Sequence, residues 1–232
     1  MVIADNLADI HQRIDAAMIK SGRKDRPTLI AVSKTQPVDL VAQAMTAGQC
    51  DFGENYLQDA LLKIKELFLY SSDGENKKIN WHFIGALQSN KTRQIAEHFD
   101  WVHTVDRLKI AERLNDQRPE YLPALNICLQ VNLAAEETKS GVIPDECLIL
   151  AEKIARLPRL SLRGLMAIPK KLVGFEAQYQ QFLQLARLRD DLVQQGLVIS
   201  ELSMGMSADL EAAICAGATM LRVGTDIFGA RD

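Results

Sequence analysis

Eight short apolar runs alternate with helical patterns along almost the whole chain, and this alternation constrains the fold more than any other feature. Strands that alternate with helices predict a parallel sheet, and eight of them suit a closed (β/α)8 barrel, or TIM barrel, of the α/β class. An open doubly wound sheet is the alternative. The predicted strands are 29–33, 51–54, 82–85, 101–105, 125–132, 162–168, 201–204 and 220–224. The predicted helices between them are 38–47, 57–69, 91–98, 108–115, 145–156, 175–194 and 208–216.

The segment before the first predicted strand carries an amphipathic pattern of its own. Apolar residues recur there at steps of three and four, which predicts a helix that packs one face on a core. We find no composition shift that marks a second domain, so we expect 1–232 to form a single barrel domain with an extra N-terminal helix. The polar stretch at 70–80 predicts an exposed loop rather than a linker. The apolar residues of the N-terminal pattern are Ile3, Leu7, Ile10, Ile14 and Met18.

Charge and composition argue against several classes of function. The 232 residues include 27 basic and 30 acidic side chains, a net charge of −3, with the basic residues scattered; binding to nucleic acid or to an anionic membrane is therefore not expected. No uninterrupted apolar segment is long enough to span a bilayer. The acidic N-terminal segment is unlike a transit peptide, and four widely spaced cysteines predict free thiols. We therefore expect a cytoplasmic protein.

Lys34 directly follows the first predicted strand, at its carboxyl end, and is followed by a turn that contains Pro37. A (β/α)8 barrel builds its active site at this end of the strands. Burial of an ammonium group lowers its pKa and makes the neutral amine accessible, which is the condition for a lysine that forms a Schiff base. A lysine that leaves the strand and extends into water explains this segment alone equally well.

The loops after the seventh and eighth predicted strands, at 202–207 and 221–225, have the composition of a phosphate site. Barrels commonly bind phosphate at these two loops. Gly205 and Gly224 permit close approach of the backbone, and Ser207 precedes a predicted helix whose N-terminus favours an anion. Taken singly, the glycines are explained by tight turns and Ser207 by an ordinary helix cap.

A lysine opposite a phosphate site predicts a ligand that carries both a phosphate and a reactive carbonyl group. Pyridoxal 5′-phosphate (PLP) is the candidate cofactor because its aldehyde condenses with lysine. A sugar phosphate that is attacked by a Schiff-base lysine, as in an aldolase, is the competing chemistry.

Seven motifs in these elements closely resemble those of the YggS/PROSC family of pyridoxal phosphate homeostasis proteins. The resemblance covers essentially the whole chain, from the N-terminal helix to 228–231. The family is similar in fold to the barrel domain of alanine racemase, which is fold type III among PLP proteins. The motifs are AVSK at 31–34, FGENY at 52–56, WHFIG at 81–85, LQSNK at 87–91, GLM at 164–166, SMGMS at 203–207 and RVGT at 222–225.

The resemblance implies a set of cofactor-binding residues. It makes Lys34 the residue that carries PLP as a Schiff base and Arg222 the partner of the pyridine nitrogen. The resemblance also implies roles for His82 and Asn55, each of which has an alternative interpretation. His82 is equally explained as a core histidine with its hydrogen bonds satisfied, and Asn55 as a turn residue. The implied phosphate contacts are Ser203, Met204, Gly205, Gly224 and Thr225, and the implied pocket-lining residues are Asn55, His82 and Met166.

The implied role of Arg222 bears on the function. A guanidinium beside the pyridine nitrogen opposes its protonation, so the bound cofactor is a poor electron sink. Racemases and decarboxylases of this fold type have a second domain that supplies an opposing acid/base, whereas this sequence ends soon after its eighth strand, so we expect an open cofactor face. The expected function is a monomeric PLP carrier without robust catalysis, which holds PLP reversibly on Lys34, buffers it and delivers it to PLP-dependent apoenzymes. A weak amino-acid racemase is the alternative. Lys139, after the fifth strand, is expected to be a solvated loop residue.

Overall fold

The computed structural model describes residues 2–70, 79–136 and 139–229, and in it eight parallel strands close into a barrel. Each strand pairs with the next in chain order, and the eighth pairs with the first. An open doubly wound sheet lacks this closure, so the prediction of a (β/α)8 barrel is confirmed. The strands are β1 (Thr28–Val32), β2 (Asp51–Glu54), β3 (Asn80–Phe83), β4 (Trp101–Val105), β5 (Leu125–Gln130), β6 (Leu160–Met166), β7 (Glu201–Ser203) and β8 (Met220–Val223).

Nine α-helices lie in the described ranges, and all but the last match a predicted helix. The predicted start of α6 is occupied by a short 3-10 turn at Pro144–Glu146. Most of the exposed loop that is predicted over 70–80, namely 71–78, lies outside the described residues. The helices are α1 (Ile3–Ser21), α2 (Val38–Thr46), α3 (Leu57–Tyr70), α4 (Thr92–His98), α5 (Leu108–Gln117), α6 (Cys147–Ala155), α7 (Phe175–Gln194), α8 (Leu210–Cys215) and α9 (Thr225–Phe228).

The N-terminal helix α1 packs against α8, α9 and α2, so it covers the side of the barrel where the chain closes. Ile3, Leu7, Ile10 and Ile14 are buried, which confirms the predicted apolar face. Burial of each such side chain contributes about 1.5–3 kcal/mol. Helix α1 is therefore held against α8 and α9, the helices that follow β7 and β8.

All four cysteines are free, in agreement with the predicted thiols. Cys128 and Cys147 are buried, whereas Cys50 and Cys215 are half-buried. Burial raises the pKa of the Cys147 thiol to about 12, so this thiol is protonated and unreactive at neutral pH. Over the ranges that the structure covers, no helix is both long and apolar enough to cross a membrane.

The turn after β7 depends on Gly205. Its φ is 93°, in the left-handed region, and an added Cβ would lie 2.6 Å from Cβ of Ala213 on α8. The Gly205 carbonyl oxygen accepts a hydrogen bond from the Arg222 amide at 2.9 Å. Glycine thus lets the β7 loop lie close to both α8 and β8, and this contact joins the two loops at the mouth of the barrel.

Candidate functional site

The carboxyl ends of the strands form a mouth that contains two neighbouring cavities, of about 450 and 320 Å³. They share Asn55, Ile84 and Ile168, so they are two parts of one opening. We call the smaller one, which lies on the side of β1, β7 and β8, the Lys34 cavity. Its lining residues are Val32, Lys34, Gln36, Asn55, Ile84, Ile168, Lys171, Met206, Ser207, Ala208, Arg222, Gly224, Thr225 and Gly229.

Lys34 lies in a tight turn directly after β1. The Gln36 amide donates to the Ser33 carbonyl oxygen at 3.0 Å, which closes the turn. Thr35 has a φ of 63°, a conformation that is strained for a β-branched residue. Its hydroxyl donates to the Lys34 carbonyl oxygen at 2.6 Å. The turn therefore fixes the backbone of the half-buried Lys34 at the edge of the cavity.

A buried ion pair lies directly behind this turn. The Lys63 ammonium donates to Glu54 Oε1 and to the Ser33 carbonyl oxygen, both at 2.6 Å. The Ser33 hydroxyl donates to the same Glu54 oxygen at 2.7 Å. Burial raises the pKa of Glu54, and the hydrogen bond from Lys63 opposes that rise. Both charged side chains are thus tied to the residue that precedes Lys34, and we call this group the Glu54–Lys63 clamp.

The loops after β7 and β8 are braced by α1 through Arg13. Its Nη2 donates to the Ser207 carbonyl oxygen at 2.8 Å. Its Nε and Nη1 bind the carboxylates of Glu211 and Asp226, each at 2.7 Å. These carboxylates lie in the first turns of α8 and α9. Because Ser207 and Thr225 line the Lys34 cavity, Arg13 helps to set the shape of the cavity from the outside.

Arg222 borders the Lys34 cavity from the barrel interior, where its side chain is buried. Its Nη1 donates to Ser203 Oγ at 2.7 Å and its Nη2 to the Ala167 carbonyl oxygen at 3.0 Å. Burial lowers the pKa of Arg222 to about 10, which leaves the guanidinium charged at neutral pH. The cavity thus offers an amine and a buried cation together, a combination that suits a ligand with a carbonyl group and a hydrogen-bond acceptor.

The sequence-predicted site residues separate into two groups. The first group lines the Lys34 cavity. The second group lies in the barrel interior or in the turn after β7 and is not part of the described lining of that cavity. The first group is Lys34, Asn55, Arg222, Gly224 and Thr225. The second group is His82, Met166, Ser203, Met204 and Gly205.

Ser203 and His82 illustrate the second group. The Ser203 hydroxyl lies between Arg222 Nη1 and His103 Nδ1, at 2.7 and 2.8 Å, and is buried. Ser207, four residues later, is the serine of this loop that lines the cavity. Both ring nitrogens of His82 are within 3.0 Å of a protein partner, Asp51 on one side and His103 on the other. His82 thus has the surroundings of a satisfied core histidine.

Sequence reasoning missed several lining residues, among them Gln36, Met206 and Lys171. Gln36 and Met206 follow the ends of β1 and β7 by four and three residues, and this position at the mouth of a barrel is the signal that identifies them. Lys171 lies in the exposed loop between β6 and α7, for which no motif or period gave a signal.

Comparison with known proteins agrees with this geometry. The family model described as alanine racemase, N-terminal domain, matches residues 6–232. A pyridoxal phosphate homeostasis protein of Pseudomonas aeruginosa is 54% identical over 231 residues, which are 99% of this chain and 96% of that protein.

Solved structures give the same result. The structure of PipY from Synechococcus elongatus with PLP bound is 37% identical, with a TM-score of 0.83, and the match covers 98% of this chain and 100% of PipY. An alanine racemase of Clostridium difficile 630 is 15% identical, with a TM-score of 0.74, and the match covers 98% of this chain and 57% of the racemase. At that identity the racemase is evidence for the fold alone.

Proposed function

The chain belongs to the alanine racemase N-terminal domain family and, within it, to the pyridoxal phosphate homeostasis proteins, and we propose that it binds PLP reversibly to maintain the supply of this cofactor. The observation that carries the proposal is that the half-buried Lys34 and the buried Arg222 line one cavity at the mouth of the barrel. A PLP-bound relative with 37% identity supports the choice of ligand.

The residues around the cavity fit the functional groups of PLP. Ser207 and Thr225 offer hydroxyls to the phosphate, and Gly224 allows the backbone to approach it. The Asn55 carboxamide lines the cavity, and its Oδ1 is buried without a hydrogen-bond partner among the described residues. A buried polar atom of this kind usually has a partner, and a bound ligand would supply one. Arg222 is the donor for the ring nitrogen.

Lys34 performs the chemical step in this proposal. Its neutral amine attacks the aldehyde carbon of PLP, a C=N bond forms, and the carbonyl oxygen leaves as water. Hydrolysis reverses the step and returns the free aldehyde. Arg222 is positively charged at neutral pH and keeps the ring nitrogen unprotonated, which limits the electron-withdrawing chemistry that PLP supplies to enzymes. The site is therefore suited to storage and release of PLP, and we propose transient delivery to apoenzymes by a monomer.

Absorption spectroscopy combined with reduction tests the proposal. The purified protein is titrated with PLP, and a visible absorption band is expected to appear in proportion to the occupied sites. Borohydride then reduces the C=N bond to a stable secondary amine, and mass spectrometry of the digest is expected to locate the adduct on Lys34. A protein that stays colourless at saturating PLP and acquires no adduct would contradict the assignment of the ligand.

The racemase alternative is tested separately. A racemase would exchange the α-hydrogen of its substrate with solvent, so amino acids incubated with PLP-loaded protein in heavy water would acquire deuterium. We expect no enzymatic exchange across a panel of amino acids, because Arg222 disfavours the carbanion that exchange requires. Exchange well above that of free PLP would replace the carrier function by a catalytic one.

Replacement of Arg13 by methionine is expected to weaken PLP binding about tenfold, or ~1.4 kcal/mol. The substitution removes the bond to the Ser207 carbonyl oxygen and leaves Glu211 and Asp226 without their shared cation, so negative charge increases near the phosphate. Pyridoxal, which lacks the phosphate, should bind the variant and the parent protein equally. Dissociation constants of the two ligands are measured by absorption titration.

Arg26→Met is the matched control for Arg13→Met. Arg26 follows α1 and forms an ion pair with Asp15 of that helix, and both side chains are exposed. Its described hydrogen-bond partners are Asp15 and His11 of α1. We expect this variant to bind PLP and pyridoxal like the parent protein. An equal loss of PLP and pyridoxal in Arg13→Met would mean that Arg13 stabilises the fold without shaping the phosphate side.

A further inference from the structure

Five polar side chains form a continuous hydrogen-bonded chain through the barrel interior. Asp51 Oδ1 lies 3.0 Å from His82 Nε2, and His82 Nδ1 lies 2.9 Å from His103 Nε2. His103 Nδ1 lies 2.8 Å from Ser203 Oγ, which accepts from Arg222 Nη1 at 2.7 Å. The five residues belong to β2, β3, β4, β7 and β8, and four of them are buried. We call this group the interior chain.

The hydrogen-bond pattern assigns one direction to the interior chain. Arg222 only donates, so Ser203 Oγ accepts from it and turns its own proton to His103 Nδ1. A neutral His103 then donates through Nε2 to His82 Nδ1, and a neutral His82 donates through Nε2 to the Asp51 carboxylate. Each histidine ring nitrogen and the Ser203 hydroxyl then has a partner, with a cation at one end of the interior chain and an anion at the other.

The electrostatic setting agrees with a neutral His103. Burial lowers the pKa of His103 well below its ordinary value, and the neighbouring His82 and Arg222 act in the same direction. If His82 Nδ1 carried the proton of the bond between the two histidines, it would donate to His103 Nε2, and His103 Nδ1 would then donate to Ser203 Oγ. The Ser203 proton would then have no acceptor within the interior chain, in a place where an unsatisfied polar group is costly.

His103 therefore acts on Arg222 through Ser203. Among the described residues, the buried guanidinium donates to two acceptors, Ser203 Oγ and the Ala167 carbonyl oxygen. When the Ser203 hydroxyl points its proton at His103 Nδ1, the oxygen lone pairs of Ser203 face Arg222 and accept its hydrogen bond. The histidine thus sets the hydroxyl orientation, and the hydroxyl holds one branch of the guanidinium at the Lys34 cavity.

We propose that His103, held in its tautomer by His82 and Asp51, is a positioning residue that keeps Arg222 aligned with the ring nitrogen of bound PLP. The inference rests on the proposed PLP function. It adds to that function three residues of the barrel interior that are not part of the cavity lining, His103, His82 and Asp51. Asp51 is the partly exposed end of the interior chain, and Asn80 Nδ2 donates to it at 3.0 Å.

The test compares PLP with its 1-deaza analogue, in which a C–H group replaces the ring nitrogen. The parent protein is expected to prefer PLP because Arg222 donates to the nitrogen. His103→Phe removes the acceptor for the Ser203 proton, and we expect the preference for PLP to fall about tenfold, the size of one hydrogen bond to a charged group. His103→Gln offers an acceptor and a donor and is expected to retain the preference.

Val102→Ala is the matched control, because Val102 is the buried neighbour of His103 on β4 and faces the helices instead of the interior chain. A merely structural role of His103 would weaken the binding of both ligands equally and leave their ratio unchanged. If His103→Phe does not fold, Ser203→Ala removes the same anchor of Arg222 and is expected to lose the same preference. An unchanged ratio in the folded variants overturns the inference alone, whereas a parent protein that binds no PLP overturns the proposed function as well.

Discussion

Replacement of Lys34 by alanine is expected to abolish the covalent retention of PLP. The Lys34 amine is the nucleophile that lies in the turn after β1 and lines the cavity with Arg222. Without it no C=N bond forms at this position, so borohydride has nothing to reduce there. Mass spectrometry is expected to show complete loss of the adduct on the peptide that contains residue 34. Spectrophotometry is expected to show loss of the visible absorption band. Residual non-covalent binding through Arg222 and the hydroxyls of Ser207 and Thr225 is expected to remain.

Lys171→Ala provides the matched control for Lys34→Ala. Lys171 lines the same cavity, but it is exposed and lies in the loop between β6 and α7. Lys171 is not the lysine that the turn after β1 fixes at the edge of the cavity, so this variant should keep both the adduct and the band. If Lys171→Ala lost the adduct while Lys34→Ala kept it, the assignment of the nucleophile to Lys34 would be wrong.

The barrel is predictable because its strands are short apolar runs that alternate with helices. The run that ends at Lys34 is buried on both faces in a parallel sheet, so it reads as continuously apolar. The N-terminal helix is equally clear because Ile3, Leu7, Ile10 and Ile14 repeat at helical spacing. Helix α9 escapes such reasoning because its four residues are too few to establish a period.

The candidate site is predictable only in part, because strand ends are visible in a sequence but the depth of a side chain is not. Lys34 is identified by its position at a strand end, whereas Arg222 and Thr225 are identified by the family resemblance, and all three line the cavity. Ser203 and Ser207 flank the same motif, and the sequence does not indicate which of the two faces the cavity. Pairing across the barrel decides this, since His103, one hundred residues earlier in the chain, binds the Ser203 hydroxyl. Local sequence patterns do not predict contacts between residues so far apart in the chain.

The Glu54–Lys63 clamp carries the largest expected effect on stability. Lys63→Met removes the cation from a carboxylate that is fully buried and whose Oε2 has no partner among the described residues. An uncompensated buried charge costs about 3–5 kcal/mol, and we expect a loss of that size in the free energy of unfolding at neutral pH. Urea unfolding followed by circular dichroism measures it. The variant should also form the Lys34 adduct more slowly, because Ser33 loses the bond from Lys63 that holds the turn.

The loss of unfolding free energy caused by Lys63→Met is expected to depend on pH. The direction of this dependence follows from the shifted pKa of Glu54. Burial raises the pKa of Glu54 above its ordinary value of 4.5, so the folded state binds its proton more tightly than the unfolded state. The stability contributed by that proton is present below about pH 4.5 and is lost as pH rises through the folded pKa. Removal of Lys63 raises this pKa further, because it removes the hydrogen bond and the charge that opposed burial. The variant is therefore least stable relative to the parent at neutral and alkaline pH, and the difference shrinks in acid.

Two further variants separate charge from packing at the clamp. Lys65→Met changes an exposed lysine two residues later on α3 and is expected to alter the free energy of unfolding by less than about 0.5 kcal/mol. Combining Lys63→Met with Glu54→Gln removes the buried negative charge and keeps an acceptor for the Ser33 hydroxyl, so most of the lost stability and the dependence on pH should disappear. If the double variant were as unstable as Lys63→Met at every pH, the cost would come from the missing lysine stem. Recovery in the double variant would show that the charge of Lys63 stabilises Glu54, and through Ser33 the turn that holds Lys34.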